Sequence, residues 1–369
     1  MSQDQNCIAV IQARMTSSRL PGKSLMDLSA RPLLFHIAHR LKKSTFINDI
    51  VIATSINKED DAIYNFAKEQ NLHCVRASEH NLLDRYKIAF EQFNPDYIIQ
   101  VCGDSPIIDI EFIDSWIENL SETKSDYSFW RFPEDRKIVL GGFDVMSSNA
   151  FKRILEDEGD FYAQEYVSGY IKQYPDKFKI SKPEVPSKYY VPEIINDANL
   201  RLSIDTPQDL NFFEKVYELS GAKPGDLSVL KFLDIIESNP ELINLNSMVH
   251  QKKLGEKTTL CLFVVENFET EDISKLISYA DSLRSSYAYG ISFLIPETFD
   301  SEAFETTKIK YKSYSGNLSA QDLKKYFPKT NFDVLFCSKK SESKFNESSE
   351  NNLEIRYIED HIYENSNSR

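Results

Sequence analysis

Short apolar runs at 8–12, 50–54, 73–77, 97–102 and 127–130 alternate with amphipathic stretches at 32–42, 58–70, 82–93 and 110–120, and this rhythm restricts the fold more than any other feature of the chain. The runs read as buried strands and the longer periodic stretches as the helices that cover them. Together they predict an α/β unit with a mostly parallel sheet. Ligands of such sheets bind beyond the carboxyl ends of the strands. That rule gathers three segments on one rim: the loop after the first strand, Ala53-Thr54-Ser55 after the second, and Gly103-Asp104-Ser105-Pro106 after the fourth.

The first of these loops, IQARMTSSRLPGK from Ile11 to Lys23, carries Arg14, Arg19 and Lys23 around a Pro-Gly turn. Arginine forks match phosphate oxygens, and lysine adds a compact point charge. Thr16, Ser17 and Ser18 offer hydroxyls, and Gly22 lets backbone approach an oxyanion closely. Between Gln12 and Lys43 the only acid is Asp27, a local reversal of sign in a chain of net charge −14. The alternative is a solvated loop and helix face, where Lys and Arg usually lie. The spacing is not that of a P-loop.

Asp104 ends the apolar run IIQVC beside a glycine, as a hard oxygen ligand for magnesium would; a turn or helix-capping role is the alternative. Residues 201–205 read as a second short strand ending at Asp205, followed by a helix with Thr206 as N-cap and Pro207 in its first position. Two aspartates at strand ends could share one metal ion if their strands lie close. Asp209 reads as an acid of the first helical turn, favoured by the helix dipole. His36 and His39, one turn apart in PLLFHIAHRLKK, read as a partly buried face and a surface residue, and no general base stands out.

Composition excludes several classes. The acidic balance disfavours nucleic-acid binding, which needs a broad positive surface. No apolar run approaches the length of a membrane span, and MSQDQN lacks the pattern of a signal peptide, so the expectation is a cytoplasmic protein without a membrane partner. The five cysteines show no paired spacing, which predicts neither a disulfide framework nor a structural zinc site.

After the breaker cluster SGAKPGD and a helix at 227–237, a second α/β rhythm begins: strands in TLCLFVV, YGISFLIP, TKIKYKSYS and DVLFCS, with helices at 273–285 and 320–327. The polar run KKSESKFNESSENN reads as a loop. This gives two domains, 1–254 and 255–369, the second a small α/β unit without a nucleotide motif. Removing residues 256–369 is expected to leave nucleotide binding intact.

The strings IQARMTSSRLPGK, IVIATSINKEDDAI, LLDRY, QVCGDSPIID and RLSIDTPQDL, in this order, resemble the cytidylyltransferases of the spore-coat polysaccharide (SpsF) type, relatives of the synthetases that make CMP-ketodeoxyoctonate and CMP-sialate. The resemblance covers roughly residues 7–254. It implies a nucleotide-diphospho-sugar transferase-like, Rossmann-like domain with a mixed seven-stranded sheet. The implied reaction joins CTP to a sugar acid or a phosphorylated small molecule, for surface polysaccharide or glycoconjugate synthesis, and releases pyrophosphate.

By position, the resemblance puts Arg14, Arg19 and Lys23 on the triphosphate, Asp104 and Asp205 on Mg2+, and Gln12, Ala13, Arg76, Ser78 and Asp84 near the nucleotide. Arg14, Lys23, Asp104 and Asp205 would be the catalytic groups. Gly142 and Asp144 match a DGLDVE-like acceptor string in which Met146 replaces an acid, and Glu165 matches the glutamate of an EHVT-like string in which Tyr166 replaces histidine. A homodimer and a small anionic acceptor are further implications. The competing readings are a glycosyltransferase on the same sheet architecture, which would use an Asp-x-Asp motif that GDSP does not supply, and an inactive scaffold that kept the fold.

Overall fold

The computed structural model describes residues 5–128, 142–158, 160–193, 200–247 and 249, and, in the second unit, 259–266, 270–287, 289–299, 304, 309–315, 318, 322–327, 332–341, 345 and 354–358. The first unit is built on a seven-stranded mixed sheet. Its parallel part comprises β1 (Cys7–Gln12), β2 (Asp49–Ser55), β3 (His73–Ala77) and β4 (Tyr97–Cys102). Between them run α1 (Leu33–Leu41), α2 (Asp61–Glu69) and α3 (Leu82–Phe93), and α4 (Ile110–Thr123) follows β4.

The sheet continues through β5 (Tyr127–Ser128), β6 (Phe143–Ser147) and β7 (Ile180–Ser181), giving the spatial order β3-β2-β1-β4-β6-β5-β7. β6 runs antiparallel to both β4 and β5. Residues 129–130 of the expected fifth strand lie outside the described residues.

β1 shows why the sheet is buried on both faces. Cys7, Ala9 and Ile11 enter one core with α1, α4 and the later helices α8 (Pro207–Ser220) and α9 (Val229–Ser238), whereas Ile8 and Val10 enter the other with Leu82, Leu83 and Tyr86 of α3. Alternate side chains of a strand point to opposite faces, so an unbroken apolar run needs cover on both. Side-chain caps fix the helix starts: Asn81 accepts from the Asp84 N–H, Asp109 from the Phe112 N–H and Thr206 from the Asp209 N–H.

Three features depart from the sequence reading. Residues 201–205 form no strand, although the helix predicted after them is present with Thr206 as its cap and Pro207 in the first turn. β6 and β7 were not anticipated, because their residues lie among polar and turn-forming neighbours. Before β7 the chain also folds into three helices, α5 (Ser148–Leu155), α6 (Phe161–Glu165) and α7 (Val167–Gln173).

The second unit is a five-stranded, all-parallel sheet. It holds β8 (Leu260–Val264), β9 (Gly290–Pro296), β10 (Lys310–Tyr314), β11 (Val334–Cys337) and β12 (Glu354–Tyr357) in the order β10-β9-β8-β11-β12. α10 (Thr270–Tyr287) joins β8 to β9, and a short helix (Leu323–Tyr326) precedes β11. β12 was not anticipated. Of the polar run at 339–352, residues 339–341 form a 3-10 turn, and 342–344 and 346–352 lie outside the described residues, as do 320–321 of the expected helix. All five cysteines are free. Among the described residues no helix is long and apolar enough to cross a membrane.

Candidate active site

β1 and β4 lie side by side with Gln12 opposite Cys102, so the loops leaving them start from neighbouring points. Gly103 permits this. Its N–H donates to the Gln12 carbonyl at 3.0 Å, and a Cβ there would stand 2.4 Å from that oxygen. Backbone cannot yield as a side-chain tip can, so only glycine fits, and Asp104 is delivered to the mouth of β1.

The loop after β1 is folded back and tied down. The Gly22 N–H donates to the Met15 carbonyl at 2.8 Å, the Ser24 hydroxyl to the Arg14 carbonyl at 3.1 Å, and Leu20 is fully buried. Asp60, buried just before α2, accepts from the Met15 N–H at 2.7 Å and from the Ser55 N–H at 3.1 Å. One carboxylate thus couples the loops that follow β1 and β2. Thr16 donates to Glu79, which joins the same loop to the segment after β3.

These restraints turn Arg19 and Lys23 inward. Lys23 Nζ donates to Asp104 Oδ2 at 2.9 Å and to Asp205 Oδ1 at 2.8 Å, and Arg19 Nη2 lies 3.1 Å from the same Asp205 oxygen. The other Asp205 oxygen, Oδ2, accepts from Arg201 Nη2 and Ser203 Oγ, each at 3.1 Å. Behind it Asp209, fully buried, pairs with Arg201 Nε at 2.9 Å and accepts the N–H groups of Asp205 and Thr206 at 3.0 Å. Asp209 is therefore more than a first-turn acid. It satisfies the backbone donors of Asp205 and Thr206, while the Ile204 N–H donates to the Asp104 carbonyl at 2.8 Å and so brings the two aspartates together.

The electrostatics follow from this crowding. Burial alone would raise the Asp205 carboxyl, but Lys23, Arg19 and Arg201 outweigh it and hold the group well below the usual carboxylate range. For Lys23, burial pulls the other way, and Asp104 and Asp205 overcome it to raise the ammonium above its ordinary value. At neutral pH the centre holds a firm ammonium and a firm carboxylate.

An open cleft of about 490 Å³ covers this centre, within the range of small-ligand sites. Gln12, Ala13, Arg14, Arg19, Lys23, Asp104, Glu165 and Asp205, all candidates from the sequence, line it. Arg14, half exposed, has a long ion pair to Glu79 at 3.9 Å.

The other candidates do not line it. Arg76 is held by the Ser55 and Asn57 carbonyls at 2.7 and 2.9 Å and by Asp61 at 2.7 Å. Ser78 accepts from the His80 N–H, and Asp84 sits in the capped first turn of α3. The Gly142 carbonyl accepts from the Cys102 N–H at 2.7 Å, beside the sheet. Asp144 is buried beneath, accepting from Tyr127, from Tyr166 and Ser168 at 2.9 Å, and from Lys172 at 3.1 Å.

Residues the sequence analysis did not single out also line the cleft, among them Glu79, Arg85, Phe161 and Gln164. Arg85 is buried, donates weakly to the Ala53 carbonyl at 3.3 Å, and keeps Nε without a hydrogen-bond partner. Leu82 and Arg85 share one helical face, and both line the cleft, a periodicity that could have marked the arginine. His36 is structural: its ring nitrogens pair with the Tyr217 hydroxyl and the Leu28 carbonyl, both at 2.7 Å. Among the described residues no three His, Cys, Asp or Glu side chains gather as a metal site.

A family model described as cytidylyltransferase matches residues 8–229. An uncharacterized protein of Methanocaldococcus jannaschii is 32% identical over 253 residues, spanning 68% of this chain and 98% of that one. The spore coat polysaccharide biosynthesis protein SpsF of Bacillus subtilis is 32% identical over 241 residues, spanning 63% of this chain and 94% of its own. Among solved structures, a cytidylyltransferase from Leptospira borgpetersenii superposes with a TM-score of 0.58 at 24% identity, across 67% of this chain and all of that one, and so shares the fold.

Proposed function

Because this chain belongs to the cytidylyltransferase family, whose nucleotide substrate is CTP, we propose that its cleft seats the triphosphate of CTP against Arg14, Arg19 and Lys23 and transfers the cytidylyl group to a small acceptor, releasing pyrophosphate. The observation that carries this reading is the Lys23 ammonium bridging Asp104 and Asp205. Cation and carboxylates from three separate parts of the chain converge where a polyphosphate and its counterion would need them.

In this reaction an acceptor oxygen attacks the α-phosphorus in line with the departing pyrophosphate, and negative charge grows on the leaving group. Fixed cations aimed at those oxygens stabilise the transition state without reorganising. Arg19 and Lys23 are fixed in this sense by the carboxylates they touch, and half-exposed Arg14 can turn toward a γ-phosphate at the mouth. Gln12 and Ala13, at the end of β1, border the same space.

The donor set also fits a divalent ion. Mg2+ is commonly held by one or two carboxylates completed by phosphates and water, and two carboxylates here approach one cation at 2.9 and 2.8 Å. Asp104 and Asp205 would hold Mg2+, and the bound ion would neutralise phosphate charge. Glu165 and Gln164, with the exposed ring of Phe161, border the cleft on α6, where the acceptor would lie. The name of the Bacillus subtilis relative supports a product used in polysaccharide or other glycoconjugate synthesis, with a sugar acid or a phosphorylated small molecule as acceptor.

A pyrophosphate-release screen with CTP and Mg2+ against sugar acids, sugar phosphates and small phosphate esters tests the reading. Release dependent on one acceptor class is the expected result. CTP that fails to bind by titration calorimetry would refute it.

A further inference from the structure

The second unit is not remote from the cleft. Gly290 opens β9, and its N–H donates to the Thr259 carbonyl at 2.9 Å, which fixes it at the amino edge of the second sheet. A Cβ on Gly290 would stand 2.6 Å from Leu260 Cδ2 and 2.9 Å from Ser18 Cβ. The Leu260 tip can swing aside, whereas Ser18 Cβ is bonded directly to the backbone of the loop that lines the cleft.

One further contact reaches the walls of the cleft. Gln208, in the first turn of α8 just beyond Asp205, donates to Asp281 on α10 at 2.8 Å. The phosphate loop and the helix that follows Asp205 are thus both touched by one body that the cytidylyltransferase model, ending at residue 229, does not include.

We propose that the second unit is a positioning element for nucleotide binding, with Gly290 setting the place of Ser18 and so of the loop that carries Arg19. The inference rests on the nucleotide reading given above, and it departs from the sequence expectation that residues 256–369 are dispensable for nucleotide binding. A loop left to itself samples many arrangements, and ordering it beforehand removes that cost from ligand binding. Gly290 is a positioning residue: it touches the loop and not the ligand.

The test is CTP affinity by titration calorimetry in the full chain. Gly290→Ala is expected to weaken CTP binding about tenfold through overpacking against the loop. Adding Ser18→Gly, which removes the opposing Cβ but leaves Leu260 in place, is expected to return the affinity to within about threefold of Ser18→Gly alone, a coupling that a merely structural defect in the second sheet would not show. Gln208→Ala, which removes the donor to Asp281, supplies a second variant, expected to weaken binding about threefold. Unchanged affinity in a folded Gly290→Ala chain, or weakened affinity that Ser18→Gly does not restore, overturns the proposal; should Gly290→Ala fail to fold, unchanged affinity in Gln208→Ala overturns it. Absence of CTP binding by the wild-type chain would sink the nucleotide reading, and this inference with it.

Discussion

Lys23 Nζ lies 2.8 Å from Asp205 Oδ1, although 182 positions separate the two residues in sequence. Asp104 pairs with the same ammonium and Arg19 with the same carboxylate oxygen, and the contact joins the start of the first unit to the segment just before α8.

Replacing Lys23 by Met keeps an unbranched side chain, one atom shorter, and removes the charge. Pyrophosphate release should fall at least a hundredfold, since one preorganised contact of this kind is worth about 3 to 4 kcal/mol in the transition state. A turnover number within tenfold of wild type would mean that Lys23 does not serve the reacting phosphates.

Asp104→Asn and Asp205→Asn should each abolish turnover while the chain still folds. Each asparagine keeps the shape of the side chain and loses the charge that a divalent ion needs. Turnover measured alongside circular dichroism separates the two effects, and full activity in both variants would contradict the metal assignment.

The Asp205 carboxyl is held below its ordinary value, so the stability it contributes is present above the unfolded pKa of about 3.9 and is lost as pH falls below that toward the folded value. Lys23 is held above its ordinary value, so its contribution is present below about pH 10.4 and is lost as pH rises from there toward the folded value. Urea midpoints from pH 6 down to pH 3 should fall more steeply for wild type than for Asp205→Asn. Parallel curves would show that the pairing contributes no linked stability.

Asp209→Ala would leave Arg201 buried with a partner missing and would strip acceptors from the N–H groups of Asp205 and Thr206. Breaking a buried pair of this kind costs about 3 to 5 kcal/mol. A matching drop in urea stability is expected, with loss of turnover well below the denaturing range because Asp205 loses its backing. A change under 1 kcal/mol, an effect on the order of a solvent-exposed pair, would show that the network is redundant.

The core of the site was legible in the sequence because it obeys a topological rule. Gln12, Arg14, Arg19, Lys23 and Asp104 follow strands whose apolar runs are unmistakable, so their common rim could be drawn in advance. Asp205 comes to the same centre as Asp104, though not at the end of a strand as expected. Asp209 accepts the Asp205 and Thr206 N–H groups and the Ile204 N–H reaches the Asp104 carbonyl, and no periodicity reveals contacts of this kind.

Arg76, Ser78 and Asp84 do not line the cleft, and for Asp84 the difference is rotational. They flank the cleft in sequence, yet Arg76 is held by local carbonyls, and on α3 it is Arg85, one residue past Asp84, that turns inward. A helix rotates by about 100° per residue, so a one-residue error changes the face. Asp60 was hidden in a helical run, and its bond to Met15 depends on where a loop from another strand happens to pass. The contacts of the second unit were equally invisible, since Gly290 and Ser18 meet through the placement of two separately folded sheets.

Asp205 divides its two oxygens between different neighbours: Oδ2 belongs to Arg201 and Ser203, and Oδ1 to Lys23 and Arg19. A carboxylate anchored in this way can share its outward cations with an arriving phosphate without being stranded, because the inward guanidinium stays with it throughout. Under the proposed function, nucleotide capture at such a centre would be an exchange of anions around standing positive charges, leaving the interior electrically balanced before, during and after the exchange.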